Sequence, residues 1–185
     1  MTGLSAEVRQ RAARIRLLLM DVDGVLTDGL LHYSAGPSGE MVETKAFHTQ
    51  DTIALQWAVA LGLDTGVISG RDSPAVTTRA RQCRMKYIRQ GHIEKVPIWD
   101  QILGEAQLTG DQVAFIGDDL TDAPLLRRAG LAAAPANARP EIKPLVHLVT
   151  EARGGSGAVR EVIEVLLRAQ DKWGEILRKY GLPED

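Results

Sequence analysis

Apolar residues fall along the chain in short blocks separated by longer mixed segments. Leu17, Leu18, Leu19 and Met20 form the first clear block, with charged residues on both sides. A run of four without alternation predicts a strand buried on both faces. Blocks of the same kind recur at residues 65–68, 113–116, 131–134 and 146–149. Between them, residues 51–61, 73–82, 96–107 and 121–129 repeat apolar positions at helical spacing, and residues 5–14 hold good helix formers after Ser5. Strands and helices in alternation predict an α/β fold, a Rossmann-like parallel sheet with helices on both faces in three layers.

One stretch interrupts the alternation. Residues 30–33 and 41–47 have extended character and flank the turn-rich Ala35-Gly36-Pro37-Ser38-Gly39, which predicts a β-hairpin flap over about residues 29–47. At the other end, Val159, Val162, Ile163, Leu166 and Leu167 recur at helical spacing behind Gly154-Gly155-Ser156-Gly157, predicting one long amphipathic tail helix over about residues 157–180. No repeat, linker or composition shift divides the 185 residues, so a single domain over 1–185 is expected.

Composition removes several function classes. The 22 Lys and Arg against 24 Asp and Glu leave a formal net charge of −2, so no overall basic field holds nucleic acid or an anionic membrane. The single cysteine, Cys83, excludes a disulfide framework within the chain and zinc sites built on several thiolates. No apolar run approaches the eighteen or so residues of a membrane span, and residues 1–16 carry Glu7 and repeated arginines in place of an apolar signal core. A cytoplasmic protein with no membrane and no nucleic-acid partner is expected.

In an open parallel sheet, ligands bind beyond the carboxyl ends of the strands, so the residues after each apolar block are the informative ones. Asp21-Val22-Asp23-Gly24 follows the first block, Ser69-Gly70-Arg71 the second and Gly117-Asp118-Asp119 the third. Two carboxylates two residues apart, with a third from a neighbouring strand, make an oxygen-rich site suited to Mg²⁺. Such a site suits a phosphate ester. Asp21 is the candidate nucleophile, Asp23 the group that protonates the leaving oxygen and later deprotonates water, and Ser69 and Lys95 the phosphate cradle. Taken singly, an aspartate after a strand is most often a cap or turn residue. Four separated elements that deliver the required residue types to one edge favour a site.

Other residues read more plainly. Arg71 stands where a guanidinium clamps an anion or caps a turn, and Asp72-Ser73-Pro74 is a helix start. Asp119 and Asp122 either orient a metal site or favour their helix N-terminus. Cys83, Trp57, Trp99 and Trp173 read as packing residues. His32, His92 and His147 have no metal-ligand spacing.

The segments Asp21-Val22-Asp23-Gly24-Val25-Leu26-Thr27, Ser69, Lys95 and Gly117-Asp118-Asp119-Leu120-Thr121-Asp122 resemble the four motifs of the haloacid dehalogenase superfamily. Within it, the chain resembles the 3-deoxy-D-manno-octulosonate 8-phosphate phosphatase family from about residue 15 to 172, including Glu43-Thr44-Lys45-Ala46-Phe47 and Gly154-Gly155-Ser156-Gly157-Ala158-Val159-Arg160-Glu161. The resemblance implies a Mg²⁺-dependent phosphatase of lipopolysaccharide biosynthesis. In it Asp21 and Asp118 ligate the metal, and Asp23 adds its backbone carbonyl to its acid–base role. It implies that His48, Thr49, Gln50, Asp51 and Thr52, with Asp23, Arg71, Arg79 and Lys95, hold the sugar acid. It also implies a homotetramer in which the flap and tail of one subunit help to close a neighbour's site. The spacing agrees that no cap domain is inserted: residues 24–69 hold only a hairpin and a helix, and residues 71–95 leave no room for one.

Three departures fall where the substrate would be recognised. Asp51-Thr52-Ile53-Ala54 stands where the family usually has Asp-Gly-x-Gly, and Gln56 and Ser156 stand where arginines are often found. Competing readings are a phosphatase of a related nonulosonate 9-phosphate or another sugar phosphate, and a non-catalytic assembly module of sugar-nucleotide biosynthesis. The module predicts a damaged acidic set, which this chain does not have. A phosphomutase calls for a cap, and a signalling receiver domain carries its phosphoacceptor after a middle strand, where Ser69 stands.

Overall fold

The computed structural model describes residues 4–183; residues 1–3 and 184–185, the ends of the expected single domain, lie outside the described residues. Its strands are β1 (Leu17–Met20), β2 (His32–Ala35), β3 (Met41–Thr44), β4 (Asp64–Ile68), β5 (Tyr87–Arg89), β6 (Val113–Ile116), β7 (Leu131–Ala134) and β8 (Leu148–Val149). Its helices are α1 (Ala6–Ala12), α2 (Thr49–Ala60), α3 (Pro74–Gln82), α4 (Lys95–Ala106), α5 (Ala123–Leu126), α6 (Ala158–Ala169) and α7 (Trp173–Lys179). Six strands form one sheet in the order β5-β4-β1-β6-β7-β8, every neighbouring pair parallel.

Alternation along each strand divides the core between the two faces of the sheet. Leu18, Met20, Val67, Ile116 and Ala133 face one layer, where α1, α2, α3, α6 and α7 supply residues such as Leu55, Val76, Val162 and Leu166. Leu17, Leu19, Ile68, Phe115 and Ala132 face the other, where α4 and α5 supply Trp99, Ile102, Leu125 and Leu126. Each wholly buried Leu, Ile or Phe stabilises the fold by about 1.5–3 kcal/mol, which is why the uninterrupted apolar blocks become central strands. The expected three-layer α/β fold is the one observed. No helix among the described residues is long and apolar enough to cross a membrane.

Several boundaries differ from expectation, each for a local reason. β5 was not expected, because Tyr87-Ile88-Arg89 is a short edge strand of which only Tyr87 is fully buried. The block at 146–149 pairs only over Leu148–Val149, since the His147 ring intervenes at its start: Nδ1 accepts from the Ala132 amide at 2.9 Å. The helix expected over 121–129 is a 3₁₀ turn (Leu120–Asp122) followed by the four residues of α5, with Asp122 drawn inward and Pro124 in the first turn.

The single long tail helix is two helices. Asp171 adopts a left-handed conformation, φ 57°, and the side chains around it are tied to other elements. Gln170 Nε2 donates to the carbonyls of Ala12 and Ile15, and Lys172 Nζ to that of Leu61. These bonds hold the bend between α6 and α7.

Asp51 is 1% exposed and caps α6 from outside that helix. Its Oδ1 accepts from the Arg160 amide at 2.8 Å and its Oδ2 from Gly157 at 3.3 Å. The donors are otherwise unsatisfied first-turn amides. Asp51→Ala should therefore lower the unfolding free energy by about 1–2 kcal/mol, measured by urea denaturation; an unchanged midpoint and slope would remove this role.

Candidate active site

The carboxyl edge of the sheet gathers the expected residues. From β1 the chain moves outward through β4 and β5, then returns to β6 on the other side, so the strand order switches direction beside β1 and leaves a crevice at that edge. The crevice has a volume of about 340 Å³ and is lined by Asp21, Asp23, Ser69, Arg71, Lys95 and Asp118 among others. The turn after Asp23 is compact because Gly24 has φ +90° and a Cβ there would lie 2.1 Å from Asp118 Oδ2. Only glycine lets the two acidic loops approach this closely.

Behind the crevice lies a buried charge network. Lys95, 4% exposed, places Nζ 3.0 Å from Asp21 Oδ1 and 2.7 Å from Asp122 Oδ1. The other oxygen of Asp122 accepts the amides of Asp118 at 3.0 Å and Asp119 at 3.3 Å. Asp122 thus anchors the β6 loop and the lysine together. Asp119 caps its own turn, accepting from the Leu120 amide at 2.7 Å.

Carboxylate oxygens of Asp21, Asp118 and Asp122 lie within 4.8 Å of one another. Burial is the main cause that pushes Asp21 up to about 6, opposed by Lys95 and reinforced by Asp122. Burial likewise pushes Asp118 up to about 7, with Asp21, Asp122 and Asp119 adding repulsion. For Lys95, burial pulls the pKa down, but Asp21 and Asp122 outweigh it and the net shift is upward. One ammonium among three carboxylates, Asp122 buried and Asp21 and Asp118 at the edge of the crevice, leaves negative charge to be offset.

A hard divalent cation fits that imbalance. Among the described residues Asp118 Oδ1 is buried with no hydrogen-bond partner, and both Asp118 and Asp21 face the crevice. Asp122 has both oxygens engaged and acts from behind. These groups suit Mg²⁺ rather than a softer metal, because every available donor is oxygen.

Asp23 faces away from the acidic cluster. Its Oδ1 pairs with Lys45, and its Oδ2 lies 3.7 Å from Arg71 Nε. Ser69, 3% exposed, lines the crevice and accepts the Arg71 amide at its Oγ, 3.2 Å away. Arg71 reaches across to the hairpin, where Nη2 meets Glu43 Oε2 at 2.6 Å and the Tyr33 hydroxyl at 3.1 Å. Its hydrogen bond to Arg71 holds the Glu43 carboxyl below the usual range.

The structure does not bring His48, Thr49, Gln50, Asp51, Thr52 or Arg79 to the crevice. Asp51 is spent on α6. Arg79 packs over Phe47, 5.2 Å from the ring centre, and Nη1 lies 3.4 Å from Thr52 Oγ1. Both Arg79 and Phe47 border a separate hollow of about 390 Å³. Thr49 and Gln50 are exposed on the first turn of α2, and His48 Nδ1 is buried without a partner.

Two contributors were missed from the sequence. Asn137 Nδ2 donates to the Gly24 carbonyl at 2.9 Å, and its Oδ1 accepts the Gly154 amide at 2.6 Å. It joins the acidic loop to the glycine-rich turn, where a Cβ on Gly154 would sit 1.8 Å from Gly24 O. Its position just beyond β7, at the same sheet edge, was the available signal. Lys45 follows β3, and no spacing rule carries a hairpin residue to Asp23.

Comparison with known proteins finds relatives over most of the chain. The model of the haloacid dehalogenase-like hydrolase family matches residues 71–163. A 3-deoxy-D-manno-octulosonate 8-phosphate phosphatase of Yersinia pestis is 42% identical over 166 residues, 90% of this chain and 87% of that protein. The Escherichia coli K12 phosphatase of the same name is 38% identical over 172 residues, 93% and 89% of the two chains. The Moraxella catarrhalis phosphatase, solved with magnesium, phosphate and KDO, superposes with a TM-score of 0.89 at 34% identity, covering 94% of this chain and 98% of that one.

Carboxyl groups raised in the folded state are easiest to bury when protonated, so their destabilising contribution grows as pH rises from the ordinary carboxylate range through about 6 for Asp21 and about 7 for Asp118. The gain in Tm on adding Mg²⁺ should therefore be larger at about pH 8 than at about pH 5, because binding at the lower pH must first displace protons. Differential scanning fluorimetry of EDTA-treated protein checks this; an equal gain at both pH values would remove Asp21 and Asp118 as ligands.

Proposed function

The chain belongs to the haloacid dehalogenase-like hydrolase family, and on that premise we propose that it is a Mg²⁺-dependent phosphatase that hydrolyses 3-deoxy-D-manno-octulosonate 8-phosphate. One observation carries the reading: Asp21, paired with the buried Lys95, and Asp118, from a neighbouring strand, face an open crevice where an Asp118 oxygen has no hydrogen-bond partner among the described residues. The names of the relatives supply the sugar acid, and its release by such an enzyme fits a place in lipopolysaccharide biosynthesis.

Asp21 is the nucleophile. Its carboxylate attacks phosphorus in line with the ester oxygen, forming an aspartyl-phosphate as the phosphorus–ester bond breaks. Lys95 holds one Asp21 oxygen in place and offers positive charge to the phosphoryl oxygens, while the Ser69 hydroxyl contributes a hydrogen bond. Asp23 gives a proton to the departing sugar hydroxyl. It then takes one from the water that attacks the aspartyl-phosphate, releasing phosphate and restoring Asp21. Asp21, Asp118 and the backbone carbonyl of Asp23 would hold Mg²⁺, which when bound would offset the negative charge of nucleophile and substrate. Arg71 is the residue we assign to the sugar acid, and its place in the lining of the crevice supports this.

The hairpin supports a homotetramer. β2 and β3 are almost wholly exposed, and Leu30, Leu31, Tyr33, Met41 and Val42 present apolar surface to water. A two-stranded hairpin is marginal alone, so a neighbouring copy is the cover we assign to it. Buried, free Cys83 supports a reducing cytoplasm.

Asp21→Asn should abolish phosphate release from the sugar phosphate while leaving the circular dichroism spectrum intact, and Asp23→Asn should reduce kcat at least about a hundredfold. Wild-type activity should stop with EDTA and return with Mg²⁺. Near-native turnover of Asp21→Asn would end the nucleophile assignment. For the assembly, Met41→Glu should reduce the light-scattering mass from four copies to fewer; a wild type that runs as a monomer overturns the tetramer.

A further inference from the structure

Four charged side chains close a ring between the hairpin and the crevice. Lys45 Nζ donates to Asp23 Oδ1 and lies 3.7 Å from Glu43 Oε1. Glu43 Oε2 is 2.6 Å from Arg71 Nη2, and Arg71 Nε is 3.7 Å from Asp23 Oδ2, which completes the circuit. Thr27 Oγ1 stands 3.4 Å from the same Asp23 oxygen that Lys45 holds.

The two cations are not equivalent. The Arg71 side chain is 43% exposed and lines the crevice, so an incoming anion can draw it from Asp23. The Lys45 side chain is 1% exposed, and among the described residues its ammonium pairs with the carboxylates of Asp23 and Glu43. Whatever Arg71 does with substrate, Lys45 remains on Asp23 Oδ1. Oδ2 would then be the oxygen without a cation.

We propose that Lys45 is a positioning residue, which fixes the Asp23 carboxylate so that one oxygen meets the ester oxygen and, later, the attacking water. This rests on the phosphatase reading above. It makes the hairpin part of the proton-transfer apparatus of its own chain as well as a cover. Proton transfer needs contact at hydrogen-bond distance, and a swing of one bond about the Asp23 side chain carries its oxygens out of that range.

Lys45→Met keeps an unbranched buried stem and removes the ammonium. It should lower kcat on the sugar phosphate about a hundredfold while KM changes less than about threefold. In an Asp23→Asn background the same substitution should cost little more, because its effect runs through that carboxylate. Lys45→Arg should recover most of the lost kcat. Near-native kcat in Lys45→Met, equal losses with and without the Asp23 carboxylate, or a change confined to KM would each overturn the proposal. Thermal melts check folding, and if Lys45→Met does not fold, Lys45→Gln carries the same comparison. Wild-type turnover in the same assay keeps the outcomes apart: its absence sinks the phosphatase reading, whereas its presence with an indifferent Lys45 sinks this one alone.

Discussion

The buried ammonium of Lys95 between Asp21 and Asp122 is the constraint on which the site depends. It lies 3.0 Å from one carboxylate and 2.7 Å from the other, so it joins the ends of β1 and β6 through charge as well as through sheet pairing. Burying such groups is costly, and the cost is offset only where hydrogen bonds satisfy them. Asp122 meets that condition with two backbone amides. Asp118 does not, since one of its oxygens is buried alone. The fold therefore carries an incomplete ion network at its carboxyl edge, and the missing charge is the one a divalent cation brings.

Much of this was legible in the sequence because it follows from short-range rules. Uninterrupted apolar blocks mark buried parallel strands, and the residue after such a strand has its direction fixed by the sheet. Asp21, Ser69 and Asp118 come to one edge for that reason, and Lys95 joins them at the first turn of α4. The remainder depended on contacts between distant elements. The resemblance assigns Asp51 to the sugar acid, yet its carboxylate accepts the amides of α6, more than a hundred positions away. The break between α6 and α7 was equally hidden, because helical spacing continues through residues 170–172 while side-chain bonds to Ala12, Ile15 and Leu61 bend the backbone.

The hairpin is joined to the crevice by a few side chains. A two-stranded ribbon cannot bury a core, so its position relative to the crevice must come from side chains. Tyr33 and Glu43 hold Arg71, and Lys45 holds Asp23, all within one chain. Arg71 and Asp23, the two ions held in this way, both line the crevice. The hairpin and the Asp23 carboxylate are consequently linked through the same few residues.

The departures along α2 alter stiffness more than chemistry. Where two glycines would leave the first turns of a helix conformationally free, Thr52 and Ala54 remove a cost of roughly 1 kcal/mol per glycine. Ala54 is wholly buried in the core, and Thr52 Oγ1 bonds the His48 carbonyl. Gln56 spends its amide on the carbonyl of Gln82, 3.5 Å away. These side chains are engaged in packing and local hydrogen bonds, and Asp51 on the same turn secures the start of α6. The glycine-rich turn preceding α6 in turn presses on Gly24 through Gly154 and Asn137. A firmer α2 thus steadies the loop that carries Asp21 and Asp23, so substitutions outside the crevice bear on the geometry within it.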